Sequence, residues 1–194
     1  FRRATGIGCY PCSMSRLPPT LACGLHRNAT ANCCPAMQIQ PLASHDRPGF
    51  DCGRAELNAW LQQVARQHQD KGLSRTYVAT EPHAPERICG YYALTLAELQ
   101  AQHLPPAWRK RLPSRIPGVR LGRLAVALSH QGQGLGELLI VDALQRTRRI
   151  ADEAGGMGLF VDAIDERAAA YYQRLGFAAA PDQPLLMFLS AKVF

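Results

Sequence analysis

The chain has 194 residues, 47% hydrophobic and 19% charged, with a net charge of +7. That size and balance fit one globular domain with a sizeable core, and no apolar stretch reaches the roughly 18–20 residues a membrane helix needs, which excludes a transmembrane helix. The positive charge favours an anionic partner, either nucleic acid or a phosphorylated cofactor.

Charge and cysteine are unevenly placed. Residues 1–36 hold four arginines, no acid and five of the seven cysteines (Cys9, Cys12, Cys23, Cys33, Cys34), beside Pro11, Pro18, Pro19 and Pro35. Cys9-x-x-Cys12 lacks a second well-spaced pair, because Cys33 and Cys34 are adjacent, so no metal site is expected there. The segment also lacks the apolar centre of a secretory signal. It reads as a flexible or non-native leader, with Met37 as the expected natural start and residues 37–194 as a single domain. Cys52 and Cys89, left in the body, read as free thiols of a reducing cytoplasm.

In chain order, Leu57, Trp60, Leu61, Val64, Ala65 and His68 recur at spacings of three and four and predict an amphipathic helix over residues 50–69. Asp51 is its expected N-cap and Gly72 its stop. His68 reads as a packed or half-exposed side chain. Residues 74–80 and 87–99 predict two strands joined as a hairpin through the prolines of "EPHAPE". The four prolines of residues 104–118 predict a loop or short helix. A strand over residues 119–128 then passes through "SHQGQGLG" into a helix of about 20 residues ending near Gly155. Residues 158–164 predict a buried strand and 165–176 a short helix with Asp165 near its start. "FAAAP" and "PLLMFLSAKVF" supply the last strands. One helix followed by β–β–β–α–β–α–β–β describes an α+β, or mixed α/β, sheet.

The glycine run Gly132, Gly134, Gly136 sits where a strand turns into a helix. A helix entry offers unpaired N–H groups and the positive end of the dipole, so this loop reads as an anion site. A P-loop is excluded because no lysine follows the glycines. A dinucleotide fingerprint is excluded because Glu137 and Leu139 stand where a third glycine belongs. Gln131-x-x-Gly134-x-Gly136 resembles the pyrophosphate loop of the GNAT N-acetyltransferases. "AAAYYQRLGF" resembles their second hallmark, a tyrosine four residues before Gly-Phe, and that tyrosine is Tyr172.

The likeness extends through "GFDCG", "SRTYV", "GYYAL", "LGRLAV" and "PLLMFL" over residues 42–194, and resembles the GNAT toxins of bacterial type II toxin–antitoxin modules. The resemblance implies an acetyl-CoA cofactor and transfer of acetyl to the α-amino group of an aminoacyl-tRNA, which halts translation. It implies that backbone groups of Leu124, Ala125 and Val126 hold the pantetheine arm. Amides of Gln131, Gly132, Gln133, Gly134, Leu135 and Gly136 would hold the diphosphate, with Gln131 offering an added polar contact. Asp165 stands where relatives often carry an asparagine touching the arm, and an acid there can accept but not donate.

Tyr172 is the expected general acid, with a phenol of ordinary pKa about 10 protonating the leaving thiolate. Its neighbour Tyr171 points about 100° away and serves as the control. No base is assigned, because an α-amino group titrates near neutrality; Glu137 is expected to complement the helix dipole, and no metal is expected. Arg109, Lys110, Arg111, Arg115, Arg120 and Arg123 lie in an acid-free interval from Leu99 to Gly136. With Arg75 they are the candidate tRNA contacts.

By resemblance the partners are a ribbon-helix-helix antitoxin and a second copy of the chain, in the cytoplasm. Direct DNA binding by this chain is not expected, since it shows no helix-turn-helix or zinc module. Two other readings stay open: a GNAT enzyme acting on a small amine or a protein N-terminus, and an inactive acetyl-CoA-binding module.

Overall fold

A computed structural model of the chain describes residues 37–104 and 106–194. The expectations for residues 1–36, their leader character and the Cys9–Cys12 pair, lie outside the described residues.

A seven-stranded sheet organises the molecule in the order β1-β2-β3-β4-β5-β7-β6. Its strands are β1 (Gln38–Pro41), β2 (Arg75–Thr80), β3 (Gly90–Gln100), β4 (Arg115–Val126), β5 (Gly158–Asp162), β6 (Ala178–Ala179) and β7 (Leu186–Ser190). Every pairing is antiparallel except β4 with β5, which are parallel and joined by a helical crossover. The helices are α1, α2 (Pro106–Arg109), α3 (Leu135–Ala154) and α4 (Glu166–Arg174). α1 runs through Ala55–Ala59, a π-helical turn Trp60–Val64, and Ala65–Asp70.

Strand alternation divides the core between two faces. On one face Tyr92, Leu94, Val119, Leu121, Leu159, Val161 and Met187 pack against Leu139, Ile140, Ala143 and Leu144 of α3 and against α4. On the other, Val78, Tyr91 and Ala125 meet Leu61 and Ala65 of α1. Further along that second face, Ile116, Phe160 and Phe188 meet Leu104, with Trp108 of α2 packed against them. α1 and α2 therefore cover separate parts of one face.

One polar network pins α3 to the sheet. The Tyr92 hydroxyl donates to Asp142, Arg146 Nε donates to both Asp142 (2.8 Å) and the Tyr92 oxygen (2.9 Å), and the guanidinium lies 3.8 Å from the Tyr77 ring centre. Burial first, and the Asp142 charge second, push the Tyr92 phenol far up.

Several expectations need correction. β1 precedes α1, as a four-residue edge strand too short and polar to announce itself. Asp51 does not cap α1. Its Oδ1 accepts from the Gly53 N–H (2.8 Å) and the Asn58 amide (2.7 Å), and the helix starts at Ala55 without a side-chain cap. β4 begins at Arg115, not Val119, despite Pro117. The Pro117 carbonyl accepts from Met157 N–H (2.9 Å), so its missing N–H also faces that side, before β5 begins, and no β3–β4 bond is lost.

Gly72 ends α1 with φ +70 as expected, and His68 is half-buried, edge-on to Trp60 at 6.1 Å. Cys52 and Cys89 are free and buried. Among the described residues no helix is long and apolar enough to cross a membrane.

The Tyr92–Asp142–Arg146 network sets the first test. Asp142→Ala should lower unfolding stability by about 2–4 kcal/mol in denaturant titration, because Arg146 and a buried phenol lose their shared acceptor. Asp152→Ala, which breaks an exposed α3 pair with Arg148, should cost less than about 1 kcal/mol.

Candidate active site

The site grows from an irregularity in β4. Leu94 pairs with Leu121 while Ala93 pairs with Arg123, so Gly122 is an extra residue, a β-bulge. The bulge shifts the alternation by one. Leu121 and Leu124 both face α3, whereas Arg123 and Ala125 both face α1.

Pairing of β4 with β5 stops at Leu121 and Val161. Beyond it, β4 stays bonded only to β3, and its other edge opens. Ala127 N–H donates to Cys89 of the β3 side (2.8 Å); by alternation Ala125 turns the same way, while Leu124 and Val126 turn their backbone groups to the open edge. Of the three residues expected to hold the pantetheine arm, Leu124 and Val126 turn main-chain groups to the open edge, where Val126 O accepts from Gln131, and Ala125 instead serves the ladder.

β4 leads through a 3₁₀ turn (Leu128–His130) into the glycine loop. Gly132 and Gly134 adopt φ +73 and +82, left-handed values that suit glycine, and Gly134 is the N-cap of α3. Gln131 is exposed, but its side chain is not a free ligand: the amide donates to Cys52 O (3.1 Å) and Val126 O (3.0 Å). Gln133 likewise donates to Ser129 O (3.0 Å). Both glutamines brace the loop with their side chains; the Gln131 N–H also donates back to Leu128 O (3.4 Å), so the expected amide contact with an anion falls to Gly132 and the residues after it. A cleft of about 300 Å³ lies against the loop, lined by Val126, His130, Gly132, Gly134, Gly136, Glu137 and Tyr171, among others. A wider hollow of about 600 Å³, between the end of α3 and the chain terminus, contains neither motif.

The two tyrosines of α4 take different places. Tyr171 lines the cleft, with its hydroxyl 3.3 Å from where a Cβ on Gly136 would sit. Tyr172 is 8% exposed, its ring edge-on to Phe177 at 5.4 Å. Its hydroxyl has no hydrogen-bond partner among the described residues, yet it is not among the fully occluded unpaired atoms. Burial pushes its phenol up to about 12, so the expected value near 10 is corrected: the group stays protonated but is a weaker acid. Burial, and then Glu137, also raise the Tyr171 phenol. Asp165 is committed: it caps α4 by accepting from Ala168 N–H (2.7 Å) and lies 3.7 Å from Arg54.

The arginines and lysine do not form one patch. Arg120 and Arg123 share the α1/α2 face, Arg120 over the Phe160 ring (5.4 Å) and 3.4 Å from Asp162, Arg123 over Trp60 (5.6 Å). The buried Arg120 Nε, the atom facing Asp162, makes no well-aligned hydrogen bond among the described residues. Arg115 falls on the opposite face, 3.5 Å from Glu98. Arg109 Nε donates to Leu104 O (2.6 Å), and Arg75 reaches the Gln69 carbonyl at the end of α1 (3.5 Å). Lys110 and Arg111 are exposed just beyond α2. Sequence adjacency concealed this division, because neighbours on a strand point to opposite faces. Tyr171 as a cleft wall and Gly122 as the bulge were also missed; only the small residue inside "RLGRLAV" hinted at the latter.

Residues 72–179 match the profile of the acetyltransferase (GNAT) domain. The tRNA-acetylating toxin of Mycobacterium tuberculosis is 32% identical over 76% of this chain and 87% of its own length. Among solved structures, AtaT complexed with acetyl-methionyl-tRNAfMet is 32% identical with a TM-score of 0.75, covering 80% of this chain and 95% of that one. A tyrosine-to-phenylalanine mutant of AtaT, bound to acetyl-CoA and the C-terminus of the antitoxin AtaR, is 32% identical with a TM-score of 0.66, covering 80% and 94%. With its bulged and diverging β4 leading into a glycine-rich helix entry, the chain belongs to the GNAT acetyltransferase family.

Proposed function

We propose that this protein transfers the acetyl group of acetyl-CoA to the α-amino group of an aminoacyl-tRNA, and so acts as a translation-blocking toxin paired with an antitoxin. The observation that carries the reading is the open edge of β4 running directly into an amide-lined helix entry. An extended pantetheine arm fits the first, and a diphosphate fits the second. The relatives support the acceptor: one is a tRNA-acetylating toxin, another is held with acetylated methionyl-tRNA.

Leu124 and Val126 would pair with the arm through their backbone. The N–H groups from Gly132 to Gly136 would receive the diphosphate, with Gln131 N–H held by Leu128 O and no lysine required. The neutral amine attacks the thioester carbonyl, the carbon–sulfur bond breaks, and the proton lost by nitrogen balances the one gained by sulfur. Tyr172 would supply the hydrogen bond, and finally the proton, to the departing sulfur, and would regain a proton through solvent from the nitrogen that releases one. Its raised pKa keeps it in the donating form across the neutral range. Tyr171 is a wall of the diphosphate cleft. Asp165, engaged in capping α4, has one carboxylate oxygen on Ala168 and can still accept from the arm.

On the acceptor side, Arg120 and Arg123 would meet the tRNA end between α1 and α2, with Arg109, Lys110 and Arg111 on the flank. Arg75 and Arg115 fall outside that groove and are peripheral. The natural setting is the cytoplasm, where tRNAs are charged. The antitoxin is of ribbon-helix-helix type, and the active unit is a homodimer; native mass spectrometry of the co-expressed pair reads both.

The defining experiment incubates the protein with labelled acetyl-CoA and a charged tRNA pool, then sequences the labelled tRNAs. Label on small amines or peptide N-termini, with none on tRNA, would overturn the acceptor assignment. Tyr172→Phe should lower kcat at least tenfold while acetyl-CoA affinity stays within about threefold, since only protonation of the leaving group is lost. Tyr171→Phe should do the reverse, shifting affinity more than kcat. Because the Tyr172 phenol titrates near 12, kcat should show no falling limb from it below about pH 10. Arg120→Ala and Arg123→Ala should each raise KM for tRNA and reduce the salt slope by about one, whereas Arg115→Ala should change neither more than twofold.

A further inference from the structure

At the end of the sheet beside the glycine loop, three side chains with no assigned part in the acetyl-transfer step converge, one of them, His130, at the rim of the cleft. Glu81 follows β2, Cys89 precedes β3, and His130 closes the 3₁₀ turn feeding the loop. Their ligand atoms all lie within 4.8 Å of one another. Glu81 Oε1 is 3.8 Å from His130 Nε2, and Glu81 Oε2 is 3.4 Å from Nε2 of a fourth residue, His83. We propose that Glu81, Cys89 and His130, completed by His83, form a site for a zinc-class divalent cation that ties the β2–β3 hairpin to the approach of the glycine loop.

Five features support it. The donors are mixed, one thiol, two imidazoles and one carboxylate, the set that selects zinc-class ions over magnesium or calcium. Two anionic ligands and two neutral imidazoles also balance a divalent charge. Spacing is close to what is required, since tetrahedral ligands at 2.0–2.3 Å from the ion stand about 3.5 Å apart. For Glu81, Cys89 and His130, side-chain movement of about one ångström separates the present arrangement from closure, and the exposed His83 swings in to complete it.

His130 is oriented as a ligand. Its Nδ1 is 2.8 Å from the Ser129 hydroxyl, which leaves Nε2 turned to Glu81; such an outer partner fixes the tautomer of metal-bound histidines. Cys89 is fully buried, and its sulfur lies 3.9 Å from the Arg87 carbonyl and meets the Glu81 backbone. Burial and then the Glu81 charge push this thiol up. A cation reverses that balance: the thiol proton leaves to solvent and a sulfur–metal bond replaces it.

The test uses the full chain, stripped with chelator and reloaded with zinc or cobalt alone. Five further cysteines precede Met37, so each readout is a difference between the parent and its variants. Cys89→Ser and His130→Gln should each lose one equivalent of zinc and the matching thiolate-to-cobalt charge-transfer absorption, whereas Cys52→Ser should retain both. Saturating zinc at about a hundredfold over Kd should raise the parent's melting temperature by about 5 °C or more, and Glu81→Gln, altered at a partly exposed side chain, should abolish that rise. Equal zinc content in parent and Cys89→Ser, an equal loss in Cys52→Ser, or a parent melting temperature indifferent to zinc would each overturn the proposal. None of these readouts depends on which amine the enzyme acetylates.

Discussion

The single extra residue at Gly122 is the constraint on which the rest of the molecule depends. A strand of strict period two cannot place Leu121 and Leu124 on the same face, yet both rest against α3 while Arg123 and Ala125 rest against α1. The bulge resolves this by shifting the phase, and the same kink ends the pairing with β5. One backbone irregularity thus gives β4 an unpaired edge in the middle of the sheet, a position where free backbone groups call for a guest. The glycine loop lies only a few residues further along, so arm and diphosphate are received by consecutive stretches of one chain segment.

The loop itself is held by its own glutamines. Gln131 and Gln133 spend their side-chain amides on Cys52, Val126 and Ser129 carbonyls. That leaves the backbone amides pointing at the cleft without flanking cations. Recognition by preformed N–H groups at a helix entry needs no charged side chain, which accounts for the absence of a lysine beside these glycines. The opposite face is where positive charge collects, and there it is partly countered by Asp162.

The course of the chain was legible wherever local chemistry forced it. The glycines before a strongly periodic 20-residue helix, Gly155 after it, and a short helix starting near Asp165 all read directly and hold in the structure. What escaped was non-local or depended on two-fold alternation. β1 carries too few residues for a pattern. Pro117 reads as a strand breaker, although its missing donor falls outside the ladder. The basic interval reads as a patch, but alternation sends Arg115 to one face and Arg120 to the other. Glu81, Cys89 and His130 are far apart in sequence, and only the antiparallel hairpin and the return of β4 bring them together. Nothing in the sequence ranks Tyr171 and Tyr172 by burial either; the structure does, because α4 turns one toward the loop and the other into the sheet.

Tyr172 has two occupations. Its ring is a brick of the interior beside Ala169 and Phe177, while its oxygen is the part left without a partner. Losing that oxygen alone would leave every contour of the protein in place. Such a silenced copy would still engage whatever binds the outer surface, so disarmament and degradation are separable fates for this fold.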